Sequence, residues 1–173
     1  MGSSSLGSHN VFVYGSLMAD EVVSVLLKRV PQSSPALLPS FHRFSIKGRV
    51  YPAILPVDNN KTVSGKVLIG ITDPELVILD EFEDVEYERR SVEVTLVGDS
   101  KILQAHTYVW GDKEDPNLYG DWNFEEWRKT HMDDFIRMTT GFMQELVLPE
   151  SKTRVATYES YYKEDGNDNF EPR

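Results

Sequence analysis

The chain has 173 residues, 40% hydrophobic and 27% charged, and a formal charge of −10 at pH 7, which is enough for one domain with a real core and too little for two. The negative balance argues against a nucleic-acid backbone as partner, and no apolar run approaches the length of a membrane helix. The absence of cysteine excludes disulfides, thiolate metal sites and a cysteine nucleophile, and is compatible with a cytoplasmic setting.

Residues 1–9 carry neither the basic region nor the apolar core of a secretory signal, and read as a flexible leader. The run Val11-Phe12-Val13-Tyr14-Gly15-Ser16-Leu17 then reads as a buried strand that turns sharply at Gly15 ahead of a helix. Backbone N–H groups at such a turn lack partners, so main-chain donors alone can hold a carboxylate, a phosphate or another anion. Residues 20–29 form a short helix, with acids in its first turn, bases in its last, and Val22, Val23, Leu26 and Leu27 on one face; Pro31 ends it. From 36 to 71 strands and turns follow, with residues 58–61 as a hairpin loop. The strand at 63–71 contains Gly65 and Gly70, which signal a bulge or a close backbone approach.

Thr72-Asp73-Pro74-Glu75 is a helix start, and the helix runs through Leu76, Ile78, Leu79 and Phe82 to end near Asp84-Val85-Glu86. Residues 91–97 and 101–110 make a hairpin across Gly98-Asp99-Ser100. Asn123 caps one long helix, with Trp122 stapled to Trp127 and an apolar stripe of Phe124, Trp127, His131, Phe135, Met138, Phe142 and Leu146. One more element is expected near 155–162, then a polar acidic tail. There is no internal repeat, and the pattern predicts an α+β fold with mostly antiparallel strands.

Chemistry is sought first on the helix at 74–83. Advancing about 100° per residue, Asp80, Glu81 and Asp84 point away from the apolar face, whereas Glu83 falls on its edge between Leu79 and Leu76. A partly desolvated carboxylate there has a raised pKa, suited to general acid/base work. The alternatives for Glu83 are an ion pair with Arg89 or Arg90 and a helix end that frays into water. Glu75 is explained by the helix dipole. Ser16 follows a sharp turn but lacks the Gly-x-Ser-x-Gly pattern of a nucleophile elbow. His9, His42, His106 and His131 show no metal-ligand spacing, and His131 reads as a core histidine. No Gly-x-Gly-x-x-Gly or Walker-type loop is present.

Four motifs in order carry a resemblance: Tyr14-Gly15-Ser16-Leu17; Gly48-Arg49-Val50-Tyr51-Pro52-Ala53; Leu79-Asp80-Glu81-Phe82-Glu83 with Tyr87-Glu88-Arg89-Arg90; and Asp121-Trp122-Asn123-Phe124-Glu125-Glu126-Trp127. Together they resemble the gamma-glutamylcyclotransferase-like superfamily, in its plant avirulence-induced branch, across about residues 10–150. The resemblance implies a small mixed, mainly antiparallel β-barrel flanked by helices, with 151–173 as an acidic extension. It implies that Tyr14, Gly15, Ser16, Leu17, Met18 and Ala19 bind the glutamyl end of a gamma-glutamyl compound, that Glu83 is the catalytic acid/base, and that Tyr87 and Arg89 support the site. The implied activity releases 5-oxoproline and an amine, without metal or cofactor and with no nucleic acid or membrane as partner. A gamma-glutamyl sensor or a defence-response adaptor on the same fold is the alternative.

Overall fold

The computed structural model describes residues 7–58 and 60–146. The element expected near 155–162, the acidic tail and most of the leader lie outside the described residues. Strand β1 (His9–Val13) opens inside the stretch read as leader, with the His9 imidazole 2.6 Å from Asp73 Oδ1.

Five strands close into a barrel in the order β1, β5 (Thr62–Ile71), β2 (Gln32–Pro39), β6 (Tyr87–Leu96) and β7 (Ile102–Trp110). Neighbours are antiparallel except at the closing seam, where β1 and β7 run parallel with Val11 opposite His106. Phe12, Leu38, Val67 and Val94 are among the side chains that fill the core. Both strand glycines have a structural reason. A Cβ on Gly65 would lie 2.2 Å from the Val13 carbonyl oxygen, so only glycine lets β5 approach β1 there. Gly70 sits at φ +78, where the β1–β5 register slips between His9 opposite Ile71 and Val11 opposite Leu68. That is a β-bulge.

A second sheet has the order β4 (Ala53–Pro56), β3 (Phe41–Ile46), β8 (Leu118–Tyr119). The expected hairpin across 58–61 is therefore corrected: β4 pairs with β3, and β5 belongs to the barrel. Ser40, at φ +67, turns the chain from β2 into β3. Its N–H donates to the Lys61 carbonyl at 2.8 Å, and its own carbonyl accepts from the Val57 N–H at 3.0 Å. A crossing between two sheets needs the same polar turn residues as a hairpin, so composition alone does not separate them.

Helix α1 (Asp20–Leu27) ends two residues earlier than expected, with Lys28 left-handed at φ +63. Arg29 leaves the helix and clamps Glu75 with two bonds of 2.7 Å, while also donating to the Gly70 carbonyl at 3.0 Å. Helix α2 (Asp73–Glu83) begins with a reciprocal capping box: the Glu75 N–H donates to Thr72 Oγ1 at 3.3 Å, and the Thr72 N–H to Glu75 Oε1 at 3.0 Å. The long C-terminal helix is two, α3 (Phe124–Thr130) and α4 (Met132–Leu146), broken at His131. In a straight helix Trp127 and Phe135 would stand about 12 Å apart along the axis. The break brings their rings edge to face at 5.5 Å. His131 is consequently half-buried at the bend and not a core residue. The Asn123 cap is present, accepting from the Glu126 N–H at 2.9 Å.

The hydrogen-bonded Arg29 guanidinium holds the Glu75 carboxyl below its usual range. A depressed folded-state pKa means stability that is present at neutral pH and lost as the pH falls through that lowered value. Glu75→Gln keeps the capping box but removes the charge. Arg29 is well exposed, so the variant should lose only about 0.5–1 kcal/mol at pH 7. Urea denaturation should show this gap shrinking below about pH 4.5, the ordinary glutamate value; a gap that persists in acid contradicts the assignment.

Candidate functional site

Because β1 and β7 are parallel, both deliver their C-terminal ends to the same end of the barrel. The antiparallel pairing of Tyr87 with Trp110 starts β6 there too, just after α2 has finished. A cavity of about 360 Å³, counting its open mouth, forms at this end. Tyr14, Gly15, Ser16 and Leu17 line it on one side, with Glu83, Tyr87 and Tyr108 from the later elements and Tyr51 and Pro52 from the loop before β4.

The turn after β1 is one turn of 3-10 helix, Ser16–Met18. The Met18 and Ala19 N–H groups close it, donating to the carbonyls of Gly15 at 2.9 Å and Ser16 at 3.0 Å. Those of Gly15, Ser16 and Leu17 have no hydrogen-bond partner among the described residues, although Ser16 and Leu17 are themselves buried. Three such donors on a cavity wall suit an anion or a carbonyl oxygen. Met18 and Ala19, expected in the same cradle, do not line the cavity. Their donors are consumed by the turn, and Ala19 is buried in the core behind it.

The aromatic walls are fixed through their hydroxyls. Tyr14 donates to the Tyr108 carbonyl at 2.5 Å and Tyr87 to the Pro52 carbonyl at 2.7 Å. Arg49 donates to the Tyr51 hydroxyl and grips Glu86 with bonds of 2.8 and 3.0 Å. The Tyr108 hydroxyl donates to Asp80 Oδ1 at 2.6 Å, and Arg89 Nε stands 3.1 Å from the same oxygen. Burial first, then the Asp80 hydrogen bond, then the charge of Glu83 push the Tyr108 phenol far above its usual range. It therefore stays protonated as a donor.

Glu83 is half-buried and faces the cavity at the C-terminal end of α2. The two arginines weighed as its partners engage other acids, Arg89 with Asp80 and Arg90 with Glu88. Asp80 is one of the acids that the spacing turns away from the packed face. It does leave the Leu76, Leu79 and Phe82 stripe, but β7 rises beside the helix and meets it. No histidine lines the cavity. Among the described residues no group of three or more His, Asp or Glu is arranged to hold a metal ion. Sequence reading missed Tyr51, Pro52 and Tyr108 as wall residues. The Tyr51-Pro52 pair lay within a noted motif, whereas an aromatic two residues before a strand end gives no signal of its own.

Residues 11–128 match the family described as Gamma-glutamyl cyclotransferase, AIG2-like. AIG2-like protein D of Arabidopsis thaliana is 62% identical over 151 residues, covering 87% of this chain and 99% of that protein. A solution structure of another Arabidopsis thaliana protein is 43% identical, with a TM-score of 0.64 over 87% of this chain and all of that one. A structure titled gamma-glutamyl cyclotransferase shares the fold, with a TM-score of 0.52 at 15% identity, over 91% of this chain and 99% of that one.

A Cβ on Gly15 would lie 2.8 Å from both Cγ and Cδ of Pro52, and a proline ring has little room to yield. Gly15→Ala should therefore cost about 1–3 kcal/mol, read by urea denaturation, because the turn and Pro52 must be pushed apart. A variant as stable as the parent contradicts this tight contact.

Proposed function

Because the chain belongs to the Gamma-glutamyl cyclotransferase, AIG2-like family, we propose that it acts on a gamma-glutamyl compound, closing the glutamyl end to 5-oxoproline and releasing an amine. One observation carries the reading: the half-buried Glu83 carboxylate lines the same cavity as the free N–H groups of the turn. The two lie far apart in the chain, and a cavity that joins donors to a lone-pair base fits a substrate end that has both a carboxylate and an amine.

In this reading the N–H groups of Gly15, Ser16 and Leu17 hold the alpha-carboxylate. The alpha-amine, in its neutral form, attacks the gamma-carbonyl carbon and a new carbon–nitrogen bond closes the five-membered ring. The proton shed by that nitrogen passes to the Glu83 carboxylate. As the tetrahedral adduct collapses, Glu83 returns the proton to the departing nitrogen, and the old carbon–nitrogen bond breaks. Folding the glutamyl chain against the turn makes the attack intramolecular, and such orientation is worth several kcal/mol. The tyrosine walls limit water around the reacting carbonyl, which strengthens the polar contacts made there. The reaction as written uses no metal or cofactor.

Glu83→Gln keeps the shape of the side chain but cannot carry the proton. Release of 5-oxoproline from a panel of gamma-glutamyl amides should fall about 100- to 10,000-fold, with an unchanged unfolding transition. Release at the parent rate overturns the role of Glu83. Binding of these compounds by the parent protein without any turnover favours a gamma-glutamyl sensor instead.

A further inference from the structure

Arg43, on β3, is not among the residues that line the cavity. Its Nη1 donates to the Tyr14 carbonyl at 2.9 Å and to the Ser64 carbonyl at 2.8 Å, joining β3 to the end of β1 and to β5. The guanidinium carbon lies 5.9 Å from the centre of the Trp122 ring. Among the described residues no carboxylate is within ion-pair distance of this cation: the acid on that side, Asp121, is paired with His42 at 2.9 Å. Burial, only partly offset by Tyr14 and Asp121, pushes the guanidinium below its usual value. A half-buried arginine that spends its donors on two neutral carbonyls keeps most of its charge uncompensated.

The direction of the contact matters. The Tyr14–Gly15 peptide is trans, so its carbonyl and its N–H point in opposite directions. A carbonyl drawn outward to Arg43 leaves the Gly15 N–H facing the other way, and Pro52 packs against Gly15 so closely that the peptide has little freedom to rotate. We propose that Arg43 is a positioning residue for anion recognition: it turns the Gly15 N–H toward the cavity, and its charge is balanced by the carboxylate of the ligand held there. This deepens the gamma-glutamyl reading and rests on it, since it requires a ligand whose bound end is anionic.

The test separates charge recognition from general damage. Binding of gamma-glutamyl-methylamide is measured by calorimetry in the Glu83→Gln background, where turnover is suppressed about 100- to 10,000-fold. It is compared with the same compound carrying an alpha-carboxamide in place of the alpha-carboxylate. Arg43→Gln keeps an N–H donor for the Tyr14 carbonyl but removes the charge. It should weaken binding of the carboxylate compound about tenfold, the scale of one charge-assisted contact, and leave the carboxamide unaffected. Arg43→Lys keeps the charge and should recover most of the loss. Equal weakening of both compounds, no weakening of either, or a lysine variant no better than the glutamine one overturns the role of Arg43. A background protein that binds the carboxylate compound no better than the carboxamide overturns the placement of the carboxylate at the turn, and this inference with it.

Discussion

The parallel seam between β1 and β7 is the constraint on which the site depends. Every other neighbouring pair in the barrel is antiparallel, so chain ends alternate between its two rims. The one parallel pair breaks that alternation and sends the end of β1 and the end of β7 to the same rim. The turn at residues 14–17 thereby meets Tyr108, and the antiparallel return into β6 brings Tyr87 and the end of α2 beside them. The Tyr14 hydroxyl, bonded to the Tyr108 carbonyl, ties the two strands just beyond the seam. Thr107 does the same one step earlier, donating to the Phe12 carbonyl at 2.9 Å.

Around that rim the polar accounting is uneven in a useful way. The four wall tyrosines have their hydroxyls engaged by backbone carbonyls, an arginine or an aspartate, so they act as shaped, rigid surfaces. Among the described residues three turn N–H groups are left over on one side of the cavity, and the Glu83 carboxylate lines the other. Leaving buried donors unmatched costs stability, and in the proposed reading a ligand carboxylate supplies the match. Arg43 adds charge of the matching sign. The proposed cyclisation uses these two groups of atoms and asks little else of the protein.

Much of this was legible from local pattern. Period-two alternation located the β6–β7 hairpin, Thr72 and Asn123 announced their helices, and Gly65 and Gly70 marked the close approach and the bulge. The spacing on α2 singled out Glu83 because it is a carboxylate on the rim of an apolar stripe. The same spacing turned Asp80 off the stripe but gave no sign of Tyr108 and Arg89: a stripe tells what lies beneath a helix and not what stands beside it. The break at His131 was hidden because the helical period continues through it, and only the demand that Trp127 and Phe135 touch reveals the bend. The parallel seam left no trace in the local pattern, where only the family resemblance implied a mixed barrel, since strand direction is set by which sheet a strand joins, and that is decided by contacts distant in the chain. Arg43 gave no signal in the sequence for the same reason. Its partners, Tyr14 and Ser64, come from two other strands' neighbourhoods.

The most direct measurement is an amide proton–nitrogen correlation spectrum of the full chain titrated with 5-oxoproline, which has the carboxylate but no leaving amine. If the turn holds that carboxylate, the Gly15, Ser16 and Leu17 amide signals shift together and saturate on one binding curve. Saturable shifts located elsewhere, with these three amides unmoved, contradict the central claim.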